Sequence, residues 1–243
     1  MSAGLELPAP VRRLVGESWA ARTHVEECSS VQFERLAADL EALEAPQLLV
    51  EVALRAVGEE AHHRELCRSL ALEYGVDPGP RAEAVTLAPP GLPAFERCVY
   101  AAVAHCCVAE TESVATLTEL IRAAGPDQVR RALVTIARDE VQHSQLGWAV
   151  VTWAAGRRSL GFLGGALPTM LEPGAGPLFR PAPPEADDER LRAHGVLPMS
   201  AKRTVFLEAL EEVLLPGFER VGVDGAAARA WVALSTSELR ALG

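Results

Sequence analysis

The chain has 243 residues, is 49% hydrophobic and carries a formal net charge of −10, which suits one large domain with a sizeable core. The acidic balance argues against nucleic acid as a partner, because phosphate binding needs a basic face. No apolar run reaches the roughly 18 residues of a membrane span. The N-terminal sequence also lacks the charged start and apolar core of a signal peptide, and the five cysteines form no CxxC pair. We therefore expect a cytoplasmic protein that binds neither nucleic acid nor membrane.

Helical periodicity dominates the first two thirds of the chain, where apolar residues return at steps of three and four. Pro46 and Pro126 each end one predicted helix and open the next. The predicted helices cover roughly 17–43, 47–74, 94–124 and 126–155. The joint within each pair is short, whereas the Pro- and Gly-rich joint between the pairs is long. This connectivity predicts an all-α fold: a ferritin-like four-helix bundle with one long crossover.

Residues 156–243 differ in composition from the first two thirds of the chain. Frequent Gly and Pro residues predict an irregular segment with short helical turns. A fifth helix is predicted over 200–221, with Ser200 as its N-cap and Pro216 bending or ending it. Its apolar stripe consists of Val205, Phe206, Ala209, Leu210, Val213 and Leu214.

Ser235 and Glu238 form a capping-box pattern, which predicts the start of a short last helix. Together these features predict two regions. Residues 1–155 form the bundle, and residues 156–243 form a C-terminal extension whose helix packs on the bundle or on a second chain in a homodimer. The extension would then serve as a lid.

A Glu-x-x-His unit occurs twice, once in each predicted hairpin. Glu60 and His63 share the apolar face of the second predicted helix, and Glu140 and His143 share that of the fourth. Residues three apart lie on one side of a helix. Each unit therefore presents one carboxylate and one imidazole inward.

The first and third predicted helices supply a further carboxylate each. Glu26 falls in register with the apolar residues of the first helix, and Glu110 does so in the third. The same reasoning leaves Glu27, Glu112 and His62 on polar faces. The separations are similar in the two hairpins, since 60 − 26 = 34 and 140 − 110 = 30. Both pairs are therefore expected to meet near the middle of the bundle.

Four buried carboxylates repel one another and lose hydration, so they need a counter-charge. Two divalent cations supply it, and four carboxylates with two imidazoles leave coordination positions open for water or dioxygen. A single Glu-x-x-His unit is a weak signal, whereas two inward copies with paired glutamates are specific. The competing interpretation is a set of buried polar remnants or surface ion pairs. The predicted ligands are Glu26, Glu60, His63, Glu110, Glu140 and His143.

Over roughly residues 18–155 this pattern resembles the ferritin-like diiron-carboxylate superfamily, which includes the ribonucleotide reductase small subunit, bacterial multicomponent monooxygenases and rubrerythrin. The segments EECSSVQFERLAADLEALEAP, EEAHHRELC and ARDEVQHSQLGW are also similar to small ferritin-like proteins of myxobacteria. The resemblance implies that the six ligands hold two iron ions, or a manganese–iron pair. No CxxC module of the rubrerythrin kind is present.

The resemblance also implies roles for the acids that precede the two units. In the superfamily this acid often holds the histidine of the opposite unit. Asp139 would then hold His63, and Glu59 would hold His143, which would fix the orientation of each ring. The alternative for both acids is an exposed helix charge.

The implied function is that of a diiron oxidase or oxygenase, which uses dioxygen and an external electron donor to oxidise a small organic substrate. Two alternatives stay open. One is a ferroxidase-type protein that handles iron or peroxide without an organic substrate, and the other is a metal-stabilised helical binding module without turnover. Substrate-dependent oxygen consumption indicates the first, oxygen use that follows ferrous ion alone the second, and inert bound metal the third.

Overall fold

The computed structural model describes residues 7–80, 85–180 and 189–242. These ranges are almost entirely helical and contain no β-strand, so the predicted all-α class is confirmed. The finer assignment to a ferritin-like bundle stays a prediction. None of the helices in the described ranges combines the length and the apolar character that crossing a membrane requires.

The first two helices form a hairpin. Helix α1 spans Ala9–Ala42 and helix α2 spans Gln47–Glu73. The start of α1 lies at Ala9 rather than near Glu17, because Pro8 precedes the helix and a second proline occupies its first turn, where no backbone N–H is needed. The short turn is closed by Glu44, whose φ of 51° lies in the left-handed region.

The third predicted helix is interrupted in its middle. It consists of α3 (Ala94–Ala102), a π-helical segment (Val103–Ala109) and α4 (Glu110–Ala123), and it is followed by α5 (Asp127–Ala155). We call Val103–Ala109 the first π segment. A π turn bonds residue i to residue i+5 and so holds one residue more than an α turn. The face that each later side chain occupies therefore shifts relative to a continuous α-helix.

The chain continues into shorter elements. These are 3₁₀ turns at Gly161–Ala166 and Gly176–Phe179, helices α6 (Leu167–Ala175), α7 (Glu189–Ala193), α8 (Met199–Ala209), α9 (Leu215–Arg220) and α10 (Ala226–Leu242), and a second π segment (Leu210–Leu214) between α8 and α9. The irregular segment predicted after residue 155 therefore contains short helical pieces.

Two details predicted for the C-terminal helices are wrong. Ser200 lies inside α8, whose N-cap is Pro198 and has no side-chain cap. Pro216 is predicted to bend or end the helix; it lies inside α9, directly after the second π segment, so it does not end the helix, and the predicted bend stays a prediction. The last helix starts well before the capping-box pattern of Ser235 and Glu238, which both lie inside α10.

The apolar stripe of the fifth predicted helix is also displaced. Phe206, Leu210 and Leu214 are buried, as predicted, but Val213 is 46% exposed. Counting by α-helical steps placed Val213 inward, whereas the extra residue of the second π segment turns it toward solvent.

Packing divides the chain into two compact units. Unit 1 comprises Met1–Thr86, Leu117–Glu140 and Asp187–Leu197, and unit 2 comprises Leu87–Thr116, Val141–Ala186 and Pro198–Gly243. Helices α4 and α5 contribute residues to both units. The predicted boundary after residue 155 concerns chain segments rather than packing units, and it stays a prediction.

Unit 1 joins the α1–α2 hairpin to the segment that carries α7. The indole Nε1 of Trp19 donates to the backbone oxygen of His194 at 3.0 Å, and the hydroxyl of Tyr74 lies 2.6 Å from the His194 Nδ1. Gly195 has a φ of +85° and lies against the Trp19 ring, where a β-carbon would not fit. These contacts hold α7 on the hairpin.

Unit 2 is held together by aromatic pairs. The rings of Trp148 and Phe218 lie 5.1 Å apart between centroids, and those of Phe179 and Phe206 lie 6.2 Å apart. Trp148 belongs to α5 and Phe218 to α9, so the C-terminal helices pack on the second half of α5. Phe179, Phe206 and Phe218 are buried, and large buried rings dominate core energetics.

At Gly147 the backbone of α5 lies very close to the first π segment. A β-carbon at Gly147 would lie 2.7 Å from the Cys106 Cβ and 2.8 Å from the Cys107 backbone nitrogen. We expect Gly147→Ala to destabilise the protein by about 1–3 kcal/mol, because backbone atoms cannot yield to the added methyl group. Gly58→Ala is the matched control, since nothing lies within 4 Å of its β-carbon position and helix propensity favours alanine by about 1 kcal/mol. Urea unfolding of both variants measures the difference, and equal stabilities would contradict the close approach.

Phe218 tests the packing of the C-terminal helices. It is 1% exposed. Phe218→Ala should lower the free energy of unfolding by about 3–5 kcal/mol, because it leaves a cavity beside Trp148. Val213→Ala, in the exposed position of the same helical region, should change it by no more than about 0.5 kcal/mol. Thermal unfolding compares the two variants, and a larger effect at Val213 would show that the register described above is wrong.

Candidate metal centre

Three helices of unit 1 bring four predicted ligands together. Glu26 comes from α1, Glu60 and His63 come from α2, and Glu140 comes from α5. One ligand atom from each residue lies within 4.8 Å of those of the other three, and all four side chains are buried. We call this group the carboxylate cluster. The i, i+3 spacing on α2 places the carboxylate and the imidazole on one face, as predicted.

The imidazole of His63 has a different partner on each nitrogen. Its Nδ1 lies 3.5 Å from the Glu60 Oε2, and its Nε2 lies 3.2 Å from the Asp139 Oδ2. The Asp139 carboxylate also accepts a bond of 2.9 Å from Arg138. A carboxylate on Nε2 favours the tautomer with its hydrogen there, which leaves the Nδ1 lone pair directed toward the carboxylate cluster.

Burial and neighbouring charges shift the pKa of two cluster members, Glu26 and His63. Burial raises the pKa of Glu26 well above its usual range, and the neighbouring charges of Glu60 and Glu140 raise it further. Burial alone would lower the pKa of His63, but its bonds to Glu60 and Asp139 and the nearby carboxylate charges outweigh burial and raise that pKa. Glu26 and His63 therefore bind their protons more tightly than the isolated side chains would.

The opposite shift occurs at Asp139. Burial would raise its pKa, but the hydrogen bonds from Arg138 and His63 outweigh burial and lower it. Asp139 is thus an anion over the usual range of pH and can hold the His63 ring in one orientation.

The donor set fits a transition metal. Carboxylate oxygens and a neutral imidazole nitrogen suit Fe, Mn or Zn, and three carboxylates at this distance repel one another until a cation balances them. Glu60 and His63 are 0% exposed, so solvent cannot screen that repulsion. We conclude that the carboxylate cluster has the ligand types, the spacing and the burial that bind a divalent cation.

The remaining two predicted ligands belong to unit 2. Glu110 and His143 are both buried there. The backbone N–H of Glu110 bonds to the carbonyl of His105, which closes the first π segment. The predicted roles of Glu110 and His143 as metal ligands stay predictions.

His105 is a polar residue of unit 2 that the sequence reasoning missed. Its Nε2 lies 3.3 Å from the Glu110 Oε1, and it is buried. His105 and Glu110 are five residues apart and would lie on different sides of a continuous α-helix. Counting by α-helical steps therefore placed His105 with Glu112 on the polar face. The first π segment brings such residues together. A signal was present in the sequence: between Arg97 and Glu110 every residue other than His105 is apolar or a tyrosine or cysteine, which is typical of a helix buried on all sides.

The neighbouring acids and histidine lie outside the cluster. His62 is exposed. Glu27 is buried but its Oε1 accepts a bond of 3.1 Å from Arg64. Glu59 lies 3.4 Å from Arg55, and its predicted role toward the second Glu-x-x-His unit stays a prediction.

Cys67 lies beside the cluster, on the same face of α2. Burial and the Glu26 charge raise the pKa of its thiol well above the usual range, so the sulfur carries its hydrogen at neutral pH. Cys107 in unit 2 is also buried, and burial raises the pKa of its thiol as well.

Comparison with known proteins gives no relative: no family model, no curated protein and no solved structure matches the chain. The resemblance to the diiron-carboxylate superfamily therefore rests on the motifs quoted above and stays a prediction.

Glu26 gives the cluster a characteristic pH dependence. A folded-state pKa raised above 4.5 means that the folded protein binds this proton more tightly than the unfolded chain does. The resulting stabilisation is complete below that value and is lost as the pH rises through the raised pKa. Metal-free wild-type protein should therefore lose stability as the pH rises above about 5, and Glu26→Gln should lose less.

Glu27→Gln is the matched control, because its carboxylate faces Arg64 instead of other carboxylates. Near neutral pH we expect metal-free Glu26→Gln to be more stable than wild type by about 1–3 kcal/mol, and Glu27→Gln to differ by no more than about 1 kcal/mol. Urea unfolding in the presence of a chelator measures both. A Glu26→Gln variant that is less stable than wild type at every pH would contradict the repulsive cluster.

Proposed function

We propose that the protein is a non-haem diiron oxidase or oxygenase that uses dioxygen to oxidise a small organic substrate. The observation that carries this proposal is the buried carboxylate cluster, in which three glutamates and one imidazole converge while a separate carboxylate, Asp139, holds the second nitrogen of that imidazole. Surface ion pairs and buried polar remnants do not have this arrangement, because they do not gather like charges away from water.

Glu26, Glu60, Glu140 and the Nδ1 of His63 would hold one iron ion. The second Glu-x-x-His unit of the sequence extends the proposal to a second ion, for which His143 and Glu110 are the remaining ligand candidates. Iron bound by such ligands supplies the electrons and open coordination positions for the reduction of dioxygen. An external electron donor would restore the reduced state, since no CxxC redox module is present in the sequence.

The residues of this chain have three tasks in that chemistry. Burial of Glu60 and His63 keeps solvent away, which strengthens each electrostatic interaction inside the site. Asp139 accepts the hydrogen on the His63 Nε2 and fixes the ring. The Glu26 carboxyl, which tends to retain its proton, releases that proton when a cation binds, so metal affinity should rise with pH.

The first test is metal content. After anaerobic loading with ferrous ion, the wild-type protein should hold about two ions per chain, as bundles with paired Glu-x-x-His motifs do. Glu140→Ala should lose at least one of them, because it removes a carboxylate from the cluster. Glu51→Ala, at an exposed position of α2, should keep the wild-type content. Elemental analysis of the desalted proteins gives the values, and a wild-type protein that retains no transition metal would refute the proposal.

The second test separates the proposed function from its alternatives. Oxygen consumption by the iron-loaded protein should increase when a library of small organic compounds is supplied with a reductant, and the same library should have no effect on Glu140→Ala. Oxygen use that follows added ferrous ion alone would identify a ferroxidase. Bound iron that consumes no oxygen under either condition would identify a metal-stabilised binding module.

A further inference from the structure

The metal-binding face of α2 continues for one turn beyond the predicted ligands. Glu60, His63 and Cys67 follow at steps of three and four and are all fully buried. The Sγ of Cys67 lies 3.8 Å from the Glu26 Oε1, in the direction of a hydrogen bond from the thiol to the carboxylate. Cys67 thus reaches from α2 to the one glutamate of the cluster that α1 supplies.

Glu26 also has a cationic neighbour on α1, Arg22, whose guanidinium is engaged elsewhere. Arg22 lies one turn before Glu26, and its guanidinium stacks on the Trp19 ring, 4.7 Å from the ring centroid. Its charge acts on Glu26 and Cys67 through space. The thiol of Cys67 therefore lies where it can donate to a Glu26 oxygen, while Glu60 shares a further side-chain hydrogen bond with Glu26.

We propose that Cys67 is a positioning residue for Glu26, whose S–H donates to the Oε1 and restricts how that carboxylate presents its oxygens to a metal ion. The proposal rests on the metal centre proposed above. A carboxylate that has one oxygen engaged by a donor has fewer orientations open to it, and partners of this kind commonly change metal affinity when they are removed. A thiol is a weak donor, so its effect should be smaller than that of a carboxylate–histidine contact.

Cobalt(II) is a suitable probe because its visible absorption reports the ligand field and its affinity can be titrated. Cys67→Ala should bind Co²⁺ about three- to tenfold more weakly than wild type, with a shifted visible band, because Glu26 loses its donor. Cys67→Ser should recover both properties, since a hydroxyl keeps the donor. Cys98→Ala, which removes another buried thiol from unit 2, should leave both unchanged.

Three outcomes would overturn the proposal. Cys67→Ala could match wild type in affinity and spectrum, or Cys67→Ser could behave like Cys67→Ala. A sulfur-to-cobalt charge-transfer band in wild type that disappears in Cys67→Ser would identify the thiol as a ligand instead of a donor. A wild-type protein that binds no Co²⁺ and no iron would refute the metal centre itself, and with it any role of Cys67 toward a metal.

The contact between Cys67 and Glu26 can also be measured without metal. At a pH high enough to ionise Glu26, the S–H stretching band of Cys67, identified as the infrared feature lost in Cys67→Ser, should move to higher frequency in Glu26→Gln, because an amide oxygen is a weaker acceptor than a carboxylate. Glu27→Gln should not move it. An unchanged band in Glu26→Gln would overturn the contact even in a protein whose metal binding is intact.

Discussion

The mutual repulsion of the Glu26, Glu60 and Glu140 carboxylates inside unit 1 is the constraint on which the rest of the site depends. Water cannot screen these charges, because the side chains are buried. Two ways of relieving the repulsion are open to the protein. It can retain a proton, as the raised pKa of Glu26 indicates, or it can bind a cation. A chain that needed only stability would have placed apolar side chains there.

The surroundings of the cluster reduce its freedom without neutralising it. Asp139 is kept anionic by Arg138 and holds the His63 ring from behind, so the imidazole presents one nitrogen in a fixed direction. The Sγ of Cys67 lies 3.8 Å from the Glu26 Oε1. Asp139 contacts the Nε2 of His63, and Cys67 contacts the Oε1 of Glu26, so each of the two groups engages one member of the cluster. These contacts restrict the orientations of the His63 and Glu26 side chains, which under the proposed function would reduce the free energy cost of ordering the ligands around a cation.

The two π segments have a common consequence for interpreting the chain. Each adds a residue to one helical turn. Side chains after that turn therefore lie on a different face from the one that α-helical periodicity assigns to them. The first brings His105 to Glu110, and the second exposes Val213. Such segments often occur at functional sites, and the first one here directly precedes a predicted ligand. Gly147 of α5 has no side chain, which leaves room for the backbone of the first π segment. The neighbouring helix α5 therefore accommodates the π turn.

By itself the sequence determined what depends on local order. Prolines and a 3.6-residue period predicted where the long helices lie, apart from the early start of α1 at Ala9, and the Glu-x-x-His spacing predicted that Glu60, His63 and Glu140 are buried. These features follow from spacing along one helix, where neighbours three and four apart must share a face.

Tertiary structure decided what local order leaves open. The first π segment lies where α5 approaches it closely at Gly147, and because of the two π segments neither His105 nor Val213 could be assigned from α-helical periodicity. The contact from Cys67 to Glu26 joins two helices, and a distance of this kind depends on how their faces meet. Periodicity specifies directions around a helix axis, whereas contacts between helices are fixed by the packing of side chains from distant parts of the chain.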